Sequence, residues 1–312
     1  YPDVLHCHDW QSALAAIYLK TIYCKRAEYQ FIRAVFTIHN IEYQGQYSPD
    51  ILGDVFGIPD NYRYLLEYGD CINLMKAAIE CCEMFSTVSP TYAQEIKNAE
   101  YAHGLQDEIR RNEFKLRGIL NGIDVKSYNP ATDSALFAPF DGNDLGGKAV
   151  CKAELQKMLG LPVRADVPVI AMISRLVSHK GLDLVRASIE ELLQSDVQFV
   201  LLGTGEREYE EFFRDVANRY RGKAVAVIAF NGDLSRKIYS GADMFLMPSK
   251  SEPCGLSQMI ASRYFTVPIV RETGGLYDSI KPYGAGGNGF TFAAYNAHDM
   301  LYVIREAISL YK

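Results

Sequence analysis

Arg175 and Lys180 stand between a β-rich run at residues 167–173 and a helical pattern that starts at Leu182. Two fixed cations at a helix N-terminus suit a diphosphate, the guanidinium offering paired donors and the ammonium a point charge. Taken alone, the pair reads first as two solvated loop cations. Glu252-Pro-Cys-Gly-Leu-Ser-Gln258 follows another strand-like run and opens another helix. Gly255, Leu256, Ser257 and Gln258 would offer a glycine and free amides to phosphate oxygens, with the Glu252 carboxylate beside them. A capping role for Glu252 is the plainer alternative. Gly203-Thr204-Gly205 and Thr273-Gly274-Gly275 also follow strands. A lone G-x-G is usually a tight turn, though it lets a backbone approach a nucleotide. Cys254 has no histidine near it in sequence and reads as a packing residue.

In the first half, His6 and His8 fall on one face of a strand, a spacing that invites a metal. Two ligands do not make a site, and no second cluster completes one, so no metal is expected. A strand-end histidine packed against Trp10 is the preferred reading. Asp9 follows that strand. His39 and Asn40 follow the run at 34–38, and Asn121 follows the run at 116–120.

These residues share a position, the carboxyl end of a strand. Strand runs are read at 4–7, 34–38, 84–88 and 116–120, then at 167–173, 197–202, 225–230, 243–247 and 267–270. Helical patterns alternate with them at 11–23, 73–82, 90–99, 182–193 and 300–312. In residues 182–193 the apolar Leu182, Val185, Ile189, Leu192 and Leu193 recur at helical spacing. Uniformly apolar strands between amphipathic helices mean α/β architecture, parallel sheets covered on both faces. The stretch from Asn129 to Gly147, rich in Pro, Gly, Asn and Asp, reads as a linker. The expected domains are 1–140, Rossmann-like and incomplete, and 141–312, a second Rossmann-like domain expected to lack its last helices. Ligands of open parallel sheets collect where strands end, so a cleft between two doubly wound domains is expected.

Composition narrows the class. The chain has 312 residues, 48% apolar and 22% charged, with a formal charge of −6. An acidic balance argues against nucleic acid as a partner, and no run is long enough for a membrane helix. Seven cysteines without a C-x-x-C pair read as reduced thiols of a cytoplasmic protein. The chain starts with Tyr1 and ends inside a helical pattern, so it is expected to be a piece of a longer protein.

Seven blocks carry a resemblance. They are Pro2-Asp-Val-Leu-His-Cys-His-Asp-Trp10, Thr37-Ile-His-Asn-Ile-Glu-Tyr-Gln-Gly45, Thr87-Val-Ser-Pro-Thr-Tyr92 and Gly118-Ile-Leu-Asn-Gly-Ile-Asp124. Ser174-Arg-Leu-Val-Ser-His-Lys-Gly-Leu-Asp183, Met247-Pro-Ser-Lys-Ser-Glu-Pro-Cys-Gly-Leu-Ser-Gln258 and Val270-Arg-Glu-Thr-Gly-Gly-Leu276 complete them. In this order they resemble bacterial glycogen synthases and plant starch synthases, nucleotide-sugar glucosyltransferases of the two-domain GT-B fold.

The resemblance implies transfer of glucose from ADP-glucose to the non-reducing 4-hydroxyl of an α-1,4-glucan, with retention and without a metal or other cofactor. It assigns Arg175 and Lys180 to the diphosphate, Glu252 to glucose hydroxyls and the Gly255–Gln258 helix start to the distal phosphate. Asp9 and His39, with Asn40, fall to the sugar and acceptor side, Asn121 to the donor sugar, and Thr273 and Gly274 to the loop beside the phosphates. The compartment implied is the cytoplasm, or the plastid stroma for a plant protein. Position 260 is Ile where the wider superfamily has a second glutamate, and Tyr277 replaces a commonly small residue. The Lys-x-Gly-Gly-Leu loop with which family members begin does not open this chain. A nucleotide-sugar-binding fragment without turnover is therefore the alternative expectation.

Overall fold

Strand β1 (Val4–His8) pairs in parallel with β2 (Arg33–Ile38). This pairing starts the first unit of a computed structural model that describes residues 1–311. The helix Asp9–Thr21 returns between the two strands and buries Ala13, Ala16 and Ile17. A small antiparallel sheet interrupts the winding, with β3 (Gln46–Tyr47) and β4 (Glu67–Tyr68) on either side of β5 (Cys71–Asn73). The parallel sheet then continues with β6 (Met84–Thr87) and β7 (Leu116–Gly118), in the order β1-β2-β6-β7. Phe36, Ile38 and Phe85 are fully buried, as expected for strands covered on both faces.

The second unit has six parallel strands: β8 (Val169–Ile173), β9 (Gln198–Leu202), β10 (Ala224–Val227), β11 (Met244–Met247), β12 (Val267–Arg271) and β13 (Phe290–Phe292). Their order is β10-β9-β8-β11-β12-β13. From β8 the chain winds outward to β10. It then crosses back to β11 and winds the other way. The helices after β8 and β11 leave on opposite faces, which opens a crevice at the ends of these two strands. One core face gathers Leu182, Val185, Ile189 and Leu192 of the helix Leu182–Leu192. The other gathers Cys151 and Leu155 of the helix Gly146–Met158 with Phe245 and Tyr264.

Several details differ from the sequence reading, the small antiparallel sheet among them. The three-residue β13 is too short to show a pattern of its own. The helix expected at 90–99 is split into Pro90–Glu95 and Ala99–Ala102. The compact units divide at Tyr1–Asn121 and Gly122–Lys312, ahead of the boundary placed at 140/141. Polar clips on the linker explain the division. Asp133 accepts from Tyr264 Oη (2.5 Å) and Arg236 Nη1 (2.8 Å), and Arg236 Nη1 also donates to the Ser127 carbonyl (2.6 Å). No helix among the described residues is long and apolar enough to cross a membrane. None of the seven cysteines forms a disulfide. Burial pushes the Cys81 and Cys82 thiols up to about 12.

The amino ends of the β11 and β12 strands are tied by a half-buried lysine. Lys148 Nζ has four acceptors for its three hydrogens, the carbonyls of Ser240 (3.1 Å), Ala242 (3.0 Å) and Tyr264 (2.9 Å) and Thr266 Oγ1 (2.8 Å). Desolvation lowers its pKa to about 8, so it is charged at neutral pH. Lys148→Met would take this donor from the Ser240 and Tyr264 carbonyls and leave Ala242 with Thr266 Oγ1 alone. Urea denaturation at pH 7 should show a loss of about 2–4 kcal/mol for the second unit. Wild-type stability in this variant would refute the tie.

Candidate active site

At the switch point between β8 and β11 lies a cavity of about 200 Å³. Arg175 and Lys180 line it from the segment after β8. Ser249, Glu252, Gly255 and Ser257 line it from the segment after β11. Lys180 Nζ donates to both Glu252 oxygens, at 2.9 and 2.7 Å. Ser249 Oγ adds a third bond to Glu252 Oε2 at 2.9 Å. Glu252 is buried and Lys180 half-buried, so this pair is little screened. Arg175 is exposed, and its guanidinium has no carboxylate partner among the described residues. The wall therefore carries two cations and one anion, a surplus of one positive charge.

Backbone bonds hold these loops against each other. Leu176 N donates to the Thr204 carbonyl (2.8 Å), Glu206 N to the Leu176 carbonyl (2.7 Å) and Lys250 N to the His179 carbonyl (2.9 Å). Arg271 Nη1 reaches the Lys250 carbonyl at 2.7 Å. The glycines allow close approach. A Cβ on Gly203 would lie 1.9 Å from the Ser174 carbonyl oxygen, and one on Gly274 2.0 Å from that of Glu252. Thr204 is exposed beside the first contact, whereas Thr273 is fully buried behind Glu252 and Pro253.

Gln258 has a role that sequence reasoning missed. It is fully buried, and its Nε2 has three acceptors for its two hydrogens, the carbonyls of Cys254 (3.1 Å) and Gly255 (2.9 Å) and Ser279 Oγ (3.0 Å). It shapes the loop that carries Gly255 and Leu256 instead of lining the cavity. The helix Ser257–Arg263 starts with no side-chain cap from Leu256, which leaves its first amides to another acceptor. Cys254 is buried, consistent with packing. Phe230, three residues past β10, is 99% exposed, and the Gly203 amide bonds to the Val227 carbonyl (3.1 Å) at the end of that strand.

In the first unit, Asp9, His39 and Asn40 are brought together. Asp9 Oδ1 accepts from the amides of His39 (2.7 Å) and Asn40 (3.4 Å). Asp9 itself has φ +52°, a left-handed conformation costly for a residue other than glycine. His8 Nδ1 lies 3.0 Å from His39 Nε2, and the His6 and His8 ring centroids are 4.2 Å apart. Trp10 instead meets Gly45 and Tyr47, so the histidines pack on one another and not on Trp10. No three His, Cys, Asp or Glu side chains among the described residues are grouped as metal ligands. Asn121, three residues past β7, is the last residue of its unit.

A family model described as "Starch synthase catalytic domain" matches residues 1–111, and one described as "Glycosyl transferases group 1" matches residues 160–312. Glycogen synthase of Desulforamulus reducens is 46% identical over 100% of this chain and 66% of its own length. That of Alkaliphilus metalliredigens is 48% identical over 99% of this chain and 66% of its own. The chain belongs to the glycogen and starch synthase family. It spans about two thirds of the length of these curated relatives. Among solved structures, the catalytic domain of starch synthase IV from Arabidopsis thaliana, bound to ADP and acarbose, superimposes with a TM-score of 0.93. It is 39% identical and covers 100% of this chain and 66% of that one. Sucrose-phosphate synthase of Thermosynechococcus elongatus, at 18% identity and TM-score 0.62 over 98% of this chain and 64% of that one, shares the fold. The architecture of this family member is thus GT-B, with a Rossmann-like sheet in each unit.

The two cavity cations should differ in what they do for stability. Arg175→Ala removes an unpaired, exposed side chain and should change stability by less than about 0.5 kcal/mol. Lys180→Ala leaves the buried Glu252 carboxylate with Ser249 alone and should cost about 2–3 kcal/mol, less than a fully buried pair. Thermal melting should place the second variant about 5–10 °C below the first. Equal melting temperatures would contradict the ion-pair geometry.

Proposed function

We propose that the intact protein is a retaining glucosyltransferase that moves glucose from ADP-glucose to the non-reducing end of an α-1,4-glucan. The observation that carries this reading is the meeting of Arg175, Lys180 and Glu252 around one cavity at the β8/β11 switch point. Identity to glycogen synthases along the whole chain supports it, as does the likeness to a starch synthase bound to ADP and acarbose.

Breaking the bond between glucose C1 and the diphosphate builds negative charge on the leaving group and positive charge on the sugar ring. Arg175 and Lys180 offset the first, and Glu252 takes glucose hydroxyls beside the second. Lys180 gives two of its donors to Glu252 and keeps one for a phosphate oxygen. The amides of Gly255, Leu256 and Ser257 take the distal phosphate, and Gln258 holds their loop. In this reading the cations replace a metal, and no cofactor is used. Thr204 borders the nucleotide, Thr273 and Gly274 back the phosphate loop, and Phe230 offers a face on which the base stacks. Asp9, His39 and Asn40 serve the sugar and acceptor side, and Asn121 serves the donor sugar. The free thiols support a reducing, cytoplasmic setting.

The test is transfer of labelled glucose from ADP-glucose into glycogen by the intact protein, with UDP-glucose as the competing donor. Turnover with ADP-glucose is expected, and Glu252→Ala should lower kcat by about two orders of magnitude or more. Near-normal synthesis by Glu252→Ala would remove that residue from the reaction. Refusal of both donors by the wild type would overturn the reading.

A further inference from the structure

We propose that His8 is a positioning residue for His39, its Nδ1 fixing which nitrogen of the His39 ring is left to meet a sugar hydroxyl. The inference rests on the sugar-side assignment of His39 above. His8 ends β1 opposite Thr37 of β2, and His39 immediately follows β2. Strand pairing thus sets the two ring nitrogens 3.0 Å apart. Asp9 Oδ1 pins the His39 amide at 2.7 Å, so the ring is held both at its backbone and at its tip.

Two neutral imidazoles in such a contact share one proton. His39 Nε2 is committed to His8, and Nδ1 is the nitrogen that remains for a ligand. Behind His8 stands His6, whose Nε2 lies 2.7 Å from Thr37 Oγ1. That hydroxyl in turn lies 2.8 Å from Ser86 Oγ. Burial first, then the His8 and His39 rings, hold His6 below its ordinary pKa. The titratable groups of the row are His6 and His8 from β1 and His39 after β2, with Asp9 from the following helix on the His39 amide. Asp9 also faces Tyr92 of the helix Pro90–Glu95, which Glu42 and Glu95 flank. Tyr92 Oη accepts from the Ile41 amide at 3.3 Å. A charge on His8 or His39 makes charging His6 more costly. Removal of His8 therefore changes both the tautomer of His39 and the charging of His6.

In the intact protein His8→Phe keeps an aromatic ring without a nitrogen. It should lower kcat about tenfold, leave KM for ADP-glucose within about twofold, and move the acid limb of the kcat–pH profile by about half a unit or more. His8→Asn, whose amide can stand where Nδ1 stands, should recover most of kcat. Nitrogen NMR of the His39 ring reads the contact without turnover: its tautomer balance should change in His8→Phe and return in His8→Asn. An unchanged pH profile and ring spectrum in His8→Phe would overturn the proposal, and so would equal losses in both variants. If the wild type transfers no glucose, the sugar-side assignment fails, and the ring spectrum alone still decides whether His8 sets the tautomer.

Discussion

The second unit is organised around one ion pair, Lys180 with Glu252. Each partner comes from a different side of the point where strand order reverses, so the pair joins the loop after β8 to the loop after β11. Burying a carboxylate is costly unless its lone pairs are met, and here both oxygens are met by the ammonium and one also by Ser249. The same bonds leave the lysine one unused donor and aim the carboxylate along the cavity wall. A site that must face both an anionic leaving group and an electron-poor sugar needs opposite charges at a fixed separation. A buried pair supplies this without reorganisation at the moment of reaction.

The surrounding groups serve that geometry. Gly203 and Gly274 are small because the Ser174 and Glu252 carbonyls occupy the space where a side chain would be. Gln258 is buried because its amide draws the Cys254 and Gly255 carbonyls together and leaves the following amides uncapped. The first unit uses a different device. Asp9, in a strained backbone conformation, holds the His39 turn by its amides, and two further histidines fill the row behind.

Much of this was legible in the sequence. Apolar runs placed nearly all the parallel strands within two or three residues, because strands buried on both faces leave a continuous apolar trace. The cavity residues Arg175, Lys180, Glu252 and Gly255 were legible as a set, because each stands between the end of a parallel strand and the helix that follows. Alone, the cations read as a solvated loop and Glu252 as a cap. The rest was hidden for physical reasons. The strand Phe290–Phe292 and the small antiparallel sheet are too short for periodicity. The wrapping of the segment after Asn121 onto the second unit depends on Asp133, Arg236 and Tyr264, which are far apart in the chain. The supporting place of Gln258 and the contact between His8 and His39 are likewise tertiary facts that spacing cannot carry.

Titration calorimetry with ADP measures most directly whether the charged cluster is a diphosphate site. Binding to the wild type should be clear, and Lys180→Met should weaken it about tenfold or more, about 1.4 kcal/mol, because the remaining ammonium donor is lost. ADP affinity that is the same in both proteins would contradict the account.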